Sequence, residues 1–258
     1  MSGFLFNEII FGPVKSRRLG VSLGINLLPT DYKYCTYNCI YCECGWTQKH
    51  NSDHLPLPKR EEIKIRLQQK LEQMLADEMA PDNITFAGNG EPTIHPEFAG
   101  IVDDTIALRD KFFPKATTTV LSNASLIHKS KIFNALLKVD HNILKLDAGS
   151  ETQFQRINLP NAKISISKLV ENLCKFKGDL IIQTLFLSGK YKGENIDNTT
   201  DDEVNLWLEH LKKIKPKKVM IYPIDRETPA QDLNKTPKGK LDEIAKKVQT
   251  LGIATEVY

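Results

Sequence analysis

The stretch "KYCTYNCIYCECGWT", residues 33–47, holds four of the chain's five cysteines: Cys35, Cys39, Cys42 and Cys44. Such a group of thiols suits a disulfide framework, a zinc site or an iron-sulfur cluster. The first three follow the spacing C-x-x-x-C-x-x-C. Three thiolates on a short loop can each bind one iron of a 4Fe-4S cluster and leave the fourth iron open. An open metal position allows a substrate or cofactor to bind the metal directly.

Composition bears on the disulfide and membrane alternatives. The chain has 258 residues, 41% of them apolar, and its 35 basic and 32 acidic side chains nearly balance. No stretch approaches the roughly 20 apolar residues that cross a bilayer, and the first 20 residues lack the pattern of a signal peptide. We therefore expect a soluble, cytoplasmic protein that does not bind membranes. In that reducing compartment clustered cysteines favour metal binding or redox chemistry over disulfides.

The zinc alternative uses two cysteines and two histidines, Cys39, Cys42, His50 and His54. Two Cys and two His ligands are a common zinc set. Only seven residues separate Cys42 from His50, which is shorter than the usual spacing of a zinc finger. This alternative predicts a zinc-binding nucleic-acid module.

Strand and helix patterns alternate along the whole chain. The strand patterns begin at Gly20, Asn83, Thr117, Asn142, Asp179 and Lys217. The helical patterns lie near residues 59–79, 96–112, 129–138, 164–176, 201–214 and 238–251. Strict alternation of this kind is typical of parallel strands joined by crossover helices. We predict an α/β fold, an open partial (βα)6 barrel of parallel strands with outer helices.

The domain prediction follows from the same alternation. We expect one domain over residues 1–258, with residues 1–20 as an N-terminal extension and residues 33–47 as the cluster-binding loop. The polar stretch 188–200 is either a mobile lid or an ordinary surface loop. Active sites of such folds lie at the carboxyl ends of the strands. Five of the predicted strands lead into polar loops there, so we expect the functional site at that edge.

Two motifs resemble the radical SAM superfamily. Tyr41 stands before the third cysteine in "CIYC", where that family usually has an aromatic residue. The second motif of the family, Gly-Gly-Glu-Pro after the second strand, corresponds to "NGEP" here, and Gly88 precedes it. The resemblance implies that Cys35, Cys39 and Cys42 bind a 4Fe-4S cluster whose open iron takes S-adenosylmethionine (SAM). It further implies reductive cleavage of SAM to a 5′-deoxyadenosyl radical, which abstracts hydrogen from a substrate that the motifs do not identify.

The same resemblance suggests which residues contact the cofactor. The candidates are Tyr41, Gly88, Asn89, Gly90, Glu91, Ser122, Asn123, Asp147 and Gln183. For Ser122, Asn123 and Asp147 the alternative is capping, and for Gln183 it is a satisfied polar group of the core. Lys145 occupies a position where the family often has serine. Asp225 and Arg226, after the last predicted strand, are candidates for substrate contacts. The implied partner is a reductant protein such as a flavodoxin or ferredoxin.

Longer segments, among them "FGPVKSRRLG" and "LKLDAGSETQFQRINLP", resemble the branch of the superfamily related to the tRNA wyosine-base synthase. That branch implies a tRNA base as substrate and a second cluster bound by upstream cysteines. No cysteine precedes Cys35 in this sequence, so we carry over the fold and the cofactors but not the reaction. Lys15, Arg17 and Arg18 either meet a phosphate-bearing substrate or form a solvated surface.

One further alternative is a non-catalytic iron-sulfur protein that transfers electrons. Such a protein needs a fourth cluster ligand and has no use for the "GNGEP" loop. Cys44 lies close to Cys42 in sequence, and we interpret it as a spare thiol beside the site.

Overall fold

The structure, a computed structural model, describes residues 3–47 and 57–258. The strands are β1 (Ile10–Ser16), β2 (Gly20–Ile25), β3 (Asn83–Phe86), β4 (Thr117–Ser122), β5 (His141–Lys145), β6 (Ile181–Tyr191), β7 (Glu194–Asp197), β8 (Lys218–Pro223), β9 (Leu233–Lys235) and β10 (Ala254–Val257). The helices are α1 (Arg60–Ala76), α2 (Phe98–Phe112), α3 (Ser130–Leu136), α4 (Glu151–Asn158), α5 (Ile166–Cys174), α6 (Asp201–Ile214) and α7 (Lys238–Gln249). None of these helices is long and apolar enough to cross a membrane.

The sheet has the order β1-β2-β3-β4-β5-β6-β8-β10. Strands β2 to β6 and β8 are parallel to one another, and β10 continues this parallel arrangement. Strand β1 pairs antiparallel with β2 at the opposite edge. The predicted open partial (βα)6 barrel is confirmed, and β1 and β10 extend its two edges.

Alternation along the strands separates an outer face from an inner face. Ile182 and Val219 point outward into the main core with the helices, whereas Ile181 and Met220 form a second apolar cluster with Leu19. Successive side chains of a strand point to opposite faces of its sheet. Lys145, Gln183 and Tyr222 therefore lie on the inner face with this second cluster, and register places Lys145 opposite Gln183.

Local signals explain the best-predicted helix, α6. The Thr200 side chain accepts a hydrogen bond from the Glu203 amide, and acidic residues occupy the first turn, where they favour the positive end of the helix dipole. Trp207 and Leu211 are buried on the apolar face. Lys215 ends the helix in the left-handed conformation. The predicted bounds of residues 201–214 agree with the structure.

The polar stretch 188–200 differs from both descriptions proposed for it. Strand β6 runs on to Tyr191 and pairs antiparallel with β7. Lys192 and Gly193 join the two strands with φ of 51° and 80°, the backbone geometry of a tight two-residue hairpin turn. Tyr191 packs on Trp46 with ring centroids 5.7 Å apart. Most of the stretch is thus a β-hairpin, and Tyr191, next to its turn, contacts the end of the cysteine loop.

Candidate active site

The cysteine loop, residues 33–47, is held at the carboxyl ends of the strands by backbone hydrogen bonds. The Tyr34 amide donates to the Asn89 carbonyl over 2.8 Å, and the Tyr34 carbonyl accepts from the Glu91 amide over 3.2 Å. On its other side the Ile40 amide donates to the Ile157 carbonyl of α4 over 3.0 Å. The loop therefore lies between the segment after β3 and the end of α4. Sequence analysis did not predict α4, which is only eight residues long.

The three predicted cluster cysteines, Cys35, Cys39 and Cys42, line one cavity of about 130 Å³. Two amide side chains point at the thiols. Asn123 Nδ2 lies 3.5 Å from the Cys35 sulfur, and Asn158 Nδ2 lies 3.4 Å from the Cys39 sulfur. Soft thiolates oriented by amide donors suit an iron-sulfur group, so the residues present fit the implied cluster.

Burial makes these thiols reluctant to ionise without positive charge nearby. It raises the pKa of Cys35 to about 12 and also raises the pKa of Cys39. Lys33, which is 2% exposed, supplies one buried cation, and its Nζ donates to the Gly45 carbonyl over 3.0 Å. Burial acts to lower the pKa of Lys33, but the thiolates of all three cysteines raise it above its ordinary value. Sequence analysis missed this role, because a lysine beside cysteines carries no distinctive signal.

Cys44 lines the same cavity. Its thiol lies 3.6 Å from the Gly88 carbonyl, and its hydrogen bond to Cys42 lowers the pKa of the Cys42 thiol. The expected spare thiol is therefore next to a predicted ligand.

Glycines in "GNGEP" make room for protein atoms. A Cβ on Gly90 would lie 1.8 Å from the Tyr34 carbonyl oxygen, and a Cβ on Gly88 would lie 2.3 Å from Asn26 Oδ1. Both glycines have positive φ, 143° and 148°. Glycine at the end of a strand can let a ligand approach the backbone closely. At Gly90 the crossing of the cysteine loop already requires glycine.

Asn89 and Glu91 make internal hydrogen bonds. The Asn89 side chain binds the backbone of Phe6 and the Pro29 carbonyl, and it is fully buried. The Glu91 carboxylate accepts from Ser122 Oγ over 2.8 Å and from the Asn123 amide over 2.6 Å. Burial raises the pKa of Glu91. This carboxylate joins the loop after β3 to the end of β4, while Glu91, Ser122 and Asn123 still line the cavity.

Asp147 lies behind the cavity. Its carboxylate accepts hydrogen bonds from Tyr41 Oη, from Asn158 Nδ2 over 2.8 Å and from the Leu185 amide over 3.0 Å. Lys145 Nζ lies 3.3 Å from the same carboxylate and 2.5 Å from Tyr41 Oη. Asp147, a predicted cofactor contact, therefore holds Tyr41, and with it the cysteine loop, against the sheet.

A second cavity of about 570 Å³ adjoins the first and shares Tyr41, Cys42, Cys44, Leu121 and Gln183 with it. The predicted substrate residues Asp225 and Arg226 line this second cavity. Asp225 pairs with Arg17 over 2.6 Å, and Arg226 pairs with Glu43 over 2.8 Å. The two ion pairs connect the loop after β8 to the β1–β2 turn and to the cysteine loop. Gln183 also lines this cavity and faces the inside of the curved sheet.

The zinc alternative gains no support from the described residues. Within residues 3–47 and 57–258, no group of three or more His, Cys, Asp or Glu side chains is placed to hold a single metal ion. His50 and His54 lie outside the described residues.

No protein-family model matches the chain. A UPF0026 protein of Helicobacter pylori (strain J99) is 34% identical over 245 residues, which cover 92% of this chain and 72% of that protein. A UPF0026 protein of Methanocaldococcus jannaschii is 32% identical over 89% of this chain and 67% of its own length.

Solved structures with a similar fold include a radical SAM methyltransferase from Sphaerobacter thermophilus, with a TM-score of 0.67 and 14% identity over 92% of this chain. TYW1 with a lysine-pyruvate adduct bound has a TM-score of 0.61 and 15% identity over 89% of this chain. The chain spans 65% of the first structure and 73% of the second. Identities this low establish a common fold and nothing finer. The chain belongs to the UPF0026 family and has the fold of radical SAM enzymes.

Proposed function

We propose that this protein is a radical SAM enzyme that binds a 4Fe-4S cluster through Cys35, Cys39 and Cys42 and binds SAM beside it. One observation carries the proposal: the three cysteines line the same cavity as Gly88, Gly90 and Glu91, in a chain with the radical SAM fold. When bound, the cluster and SAM would supply reductive cleavage of a carbon-sulfur bond and a 5′-deoxyadenosyl radical that abstracts hydrogen from the substrate.

The chain's own residues would hold and orient these groups. Asn123 and Asn158 donate toward the thiols, and Lys33 offsets their negative charge. Buried donors and cations next to thiolates favour the charged, metal-binding form.

The predicted cofactor contacts divide into two groups by position. The residues that line the cavity would contact SAM: Tyr41, Gly88, Gly90, Glu91, Ser122, Asn123 and Gln183. Asn89 and Asp147 would act indirectly, by fixing the loops.

The proposed substrate and partners follow from the resemblance. The resemblance to the wyosine-base synthase branch makes a tRNA base the first substrate to test, and the reductant would be a flavodoxin or ferredoxin in the cytoplasm. We do not propose that a lysine of this chain binds pyruvate. The two lysines that line the cluster cavity, Lys33 and Lys145, already bind internal partners.

A non-catalytic electron carrier is the second candidate. It would need a fourth protein ligand, and the presence of Cys44 in the cluster cavity favours it. The role of Cys44 therefore distinguishes the two functions.

The test is anaerobic reconstitution with iron and sulfide, followed by addition of SAM and a strong reductant. Mass spectrometry then measures 5′-deoxyadenosine. Cys39→Ala should lose the cluster and all product, while the matched variant Cys44→Ala should keep about four irons per chain and form product. A fully loaded wild-type cluster that neither cleaves SAM nor changes its spectrum when SAM is added would reject the radical mechanism. Loss of the cluster in Cys44→Ala would favour the electron carrier.

A further inference from the structure

The second cavity has the size and position of a substrate site. Its volume of about 570 Å³ falls within the range of small-molecule sites, and it opens beside Tyr41, Cys42 and Cys44 of the cluster loop. A molecule bound there would lie next to the cofactor cavity. The inference below therefore rests on the proposed function.

Most charged side chains of this cavity already have partners. Arg17 pairs with Asp225, Arg226 pairs with Glu43, and Lys235 approaches Asp225 from outside at 3.6 Å. Both side-chain carboxylates of the lining, Glu43 and Asp225, are therefore neutralised by these cations.

Arg18 is different. It is half-buried, and its described partners are neutral: Nη1 lies 3.4 Å from Gln183 Oε1, and the guanidinium lies over the Tyr222 ring at 5.0 Å from the centroid. Among residues 3–47 and 57–258, no carboxylate forms an ion pair with Arg18 in the structure. Lys15 adds further positive charge to the lining.

The fold fixes the position of this arginine. The β1–β2 turn that carries it packs Leu19 against Ile143, Ile181 and Met220 on the inner face of the sheet. Gln183 and Tyr222 lie on the same face, in β6 and β8. A guanidinium has five donors in a rigid fork that matches a carboxylate or phosphate, and the Gln183 contact occupies only one of its nitrogens.

We propose that Arg18 anchors an anionic group, a carboxylate or a phosphate, of the substrate in the second cavity, and that Gln183 and Tyr222 are positioning residues for its guanidinium. The substrate thus carries an anionic group, as an organic acid, a nucleotide or an RNA does. The anchor serves the substrate and not SAM, because it lies in the second cavity and does not line the cavity of the cysteines.

The test is calorimetric binding of three probes, malonate, inorganic phosphate and guanosine 5′-monophosphate, to the full chain at low ionic strength. At least one probe should bind the wild type, and the strongest probe identifies the anion. Arg18→Gln should weaken that probe by about tenfold or more, because the charge-assisted fork is lost. Arg18→Lys should recover part of the affinity, which separates loss of charge from loss of folding.

The matched control is Arg66→Gln, an exposed arginine of α1 that pairs only with Glu62 among described residues. It should bind the probe as the wild type does. The inference is overturned if no probe binds the wild type, if Arg18→Gln binds equally well, or if Arg66→Gln loses as much affinity. Displacement of the probe by SAM would also overturn it, since Arg18 would then serve the cofactor.

Anion binding can be measured without turnover, so the radical mechanism and the Arg18 anchor can be rejected independently of each other. Anion binding without deoxyadenosine formation would reject only the radical mechanism. Deoxyadenosine formation without anion binding that depends on Arg18 would reject only the substrate anchor.

Discussion

Gly90 is required by its protein neighbours before any ligand is considered. The Tyr34 carbonyl occupies the place of a Cβ at this position, and the backbone has a φ of 143° that side chains rarely adopt. The glycine motif and the cysteine loop are therefore a single structural unit. The sequence shows the two motifs about fifty residues apart and gives no sign of this contact.

We expect Gly90→Ala to lower the free energy of unfolding by about 3 kcal/mol, through backbone strain and a displaced cysteine loop. Chemical denaturation of the cluster-free protein measures this, and iron analysis after reconstitution should show less bound cluster. Gly239→Ala is the control, because, apart from its chain neighbours and its own helix backbone, no atom lies within 4 Å of its added Cβ. It should change stability by no more than about 1 kcal/mol. Equal stability of the two variants would refute the proposed crowding.

Asp147 was predicted to contact the cofactor. In the structure its contacts are with other residues of the protein. Its side chain is fully buried and receives hydrogen bonds from Tyr41, Asn158 and the Leu185 amide. Its partners Tyr41 and Leu185 are 106 and 38 residues away. Sequence patterns report local structure, so they could not separate a cofactor ligand from this structural role.

Replacement of Asp147 by alanine should destabilise the fold by about 3 to 5 kcal/mol, because the buried Lys145 ammonium loses its carboxylate partner. Asp225→Ala, at a partly exposed ion pair, should cost less than about 1 kcal/mol. Urea denaturation of both variants provides the comparison. A small loss of stability in the Asp147 variant would mean that its hydrogen-bond network contributes little to folding. That result would favour its assignment as a cofactor contact.

At the scale of elements, the site depends on helix α4. Sequence analysis did not predict this helix. Its N-cap is Ser150, whose side chain accepts from the Gln153 amide, and its last residues accept hydrogen bonds from the amides of Asn38 and Ile40 in the cysteine loop. Helix α6 supports the start of α4: His210 Nε2 donates to the Gly149 carbonyl over 2.8 Å. A short helix of this kind is stabilised by tertiary contacts, which explains its weak sequence signal.

Stability should fall as the pH drops from about 7.5 to about 5.5, because burial lowers the pKa of both His141 and His210 in the folded protein. At these two histidines the unfolded chain binds more protons than the folded chain in that window, so their contribution to stability rises with pH. Thermal melts across this range test the sign. A His210→Asn variant should show a weaker decline than the wild type. A decline of equal steepness would assign the pH dependence to other groups.

At the scale of the whole molecule, one core runs from β2 to β8 and includes the outer helices. Trp207 lies within it, with its ring 5.2 Å from Phe186 and its Nε1 donating to the Leu146 carbonyl over 3.1 Å. Shared burial across so many elements favours cooperative unfolding. Cooperative unfolding would agree with the predicted single domain.

We expect cluster-free protein to unfold in one transition in urea, with coincident midpoints from Trp207 fluorescence and far-ultraviolet circular dichroism. The chain has two tryptophans, so a Trp46→Phe variant makes Trp207 the sole reporter. Coincident curves would support one domain over residues 1–258. Two separated transitions would instead divide the chain into independently folding units.

The sequence by itself determined the six alternating strand and helix units, the spacing of the three cysteines and the placement of polar loops after the strands. These features depend on local periodicity and on ligand spacing within one loop, so they can be read along the chain. The tertiary structure decided which polar residues line the cavity and which bind one another. It also brought Arg18 to Gln183, 165 residues away, beside the cluster loop. Such contacts depend on how the sheet curves and on which buried groups must satisfy each other's hydrogen bonds, and only the folded chain fixes those.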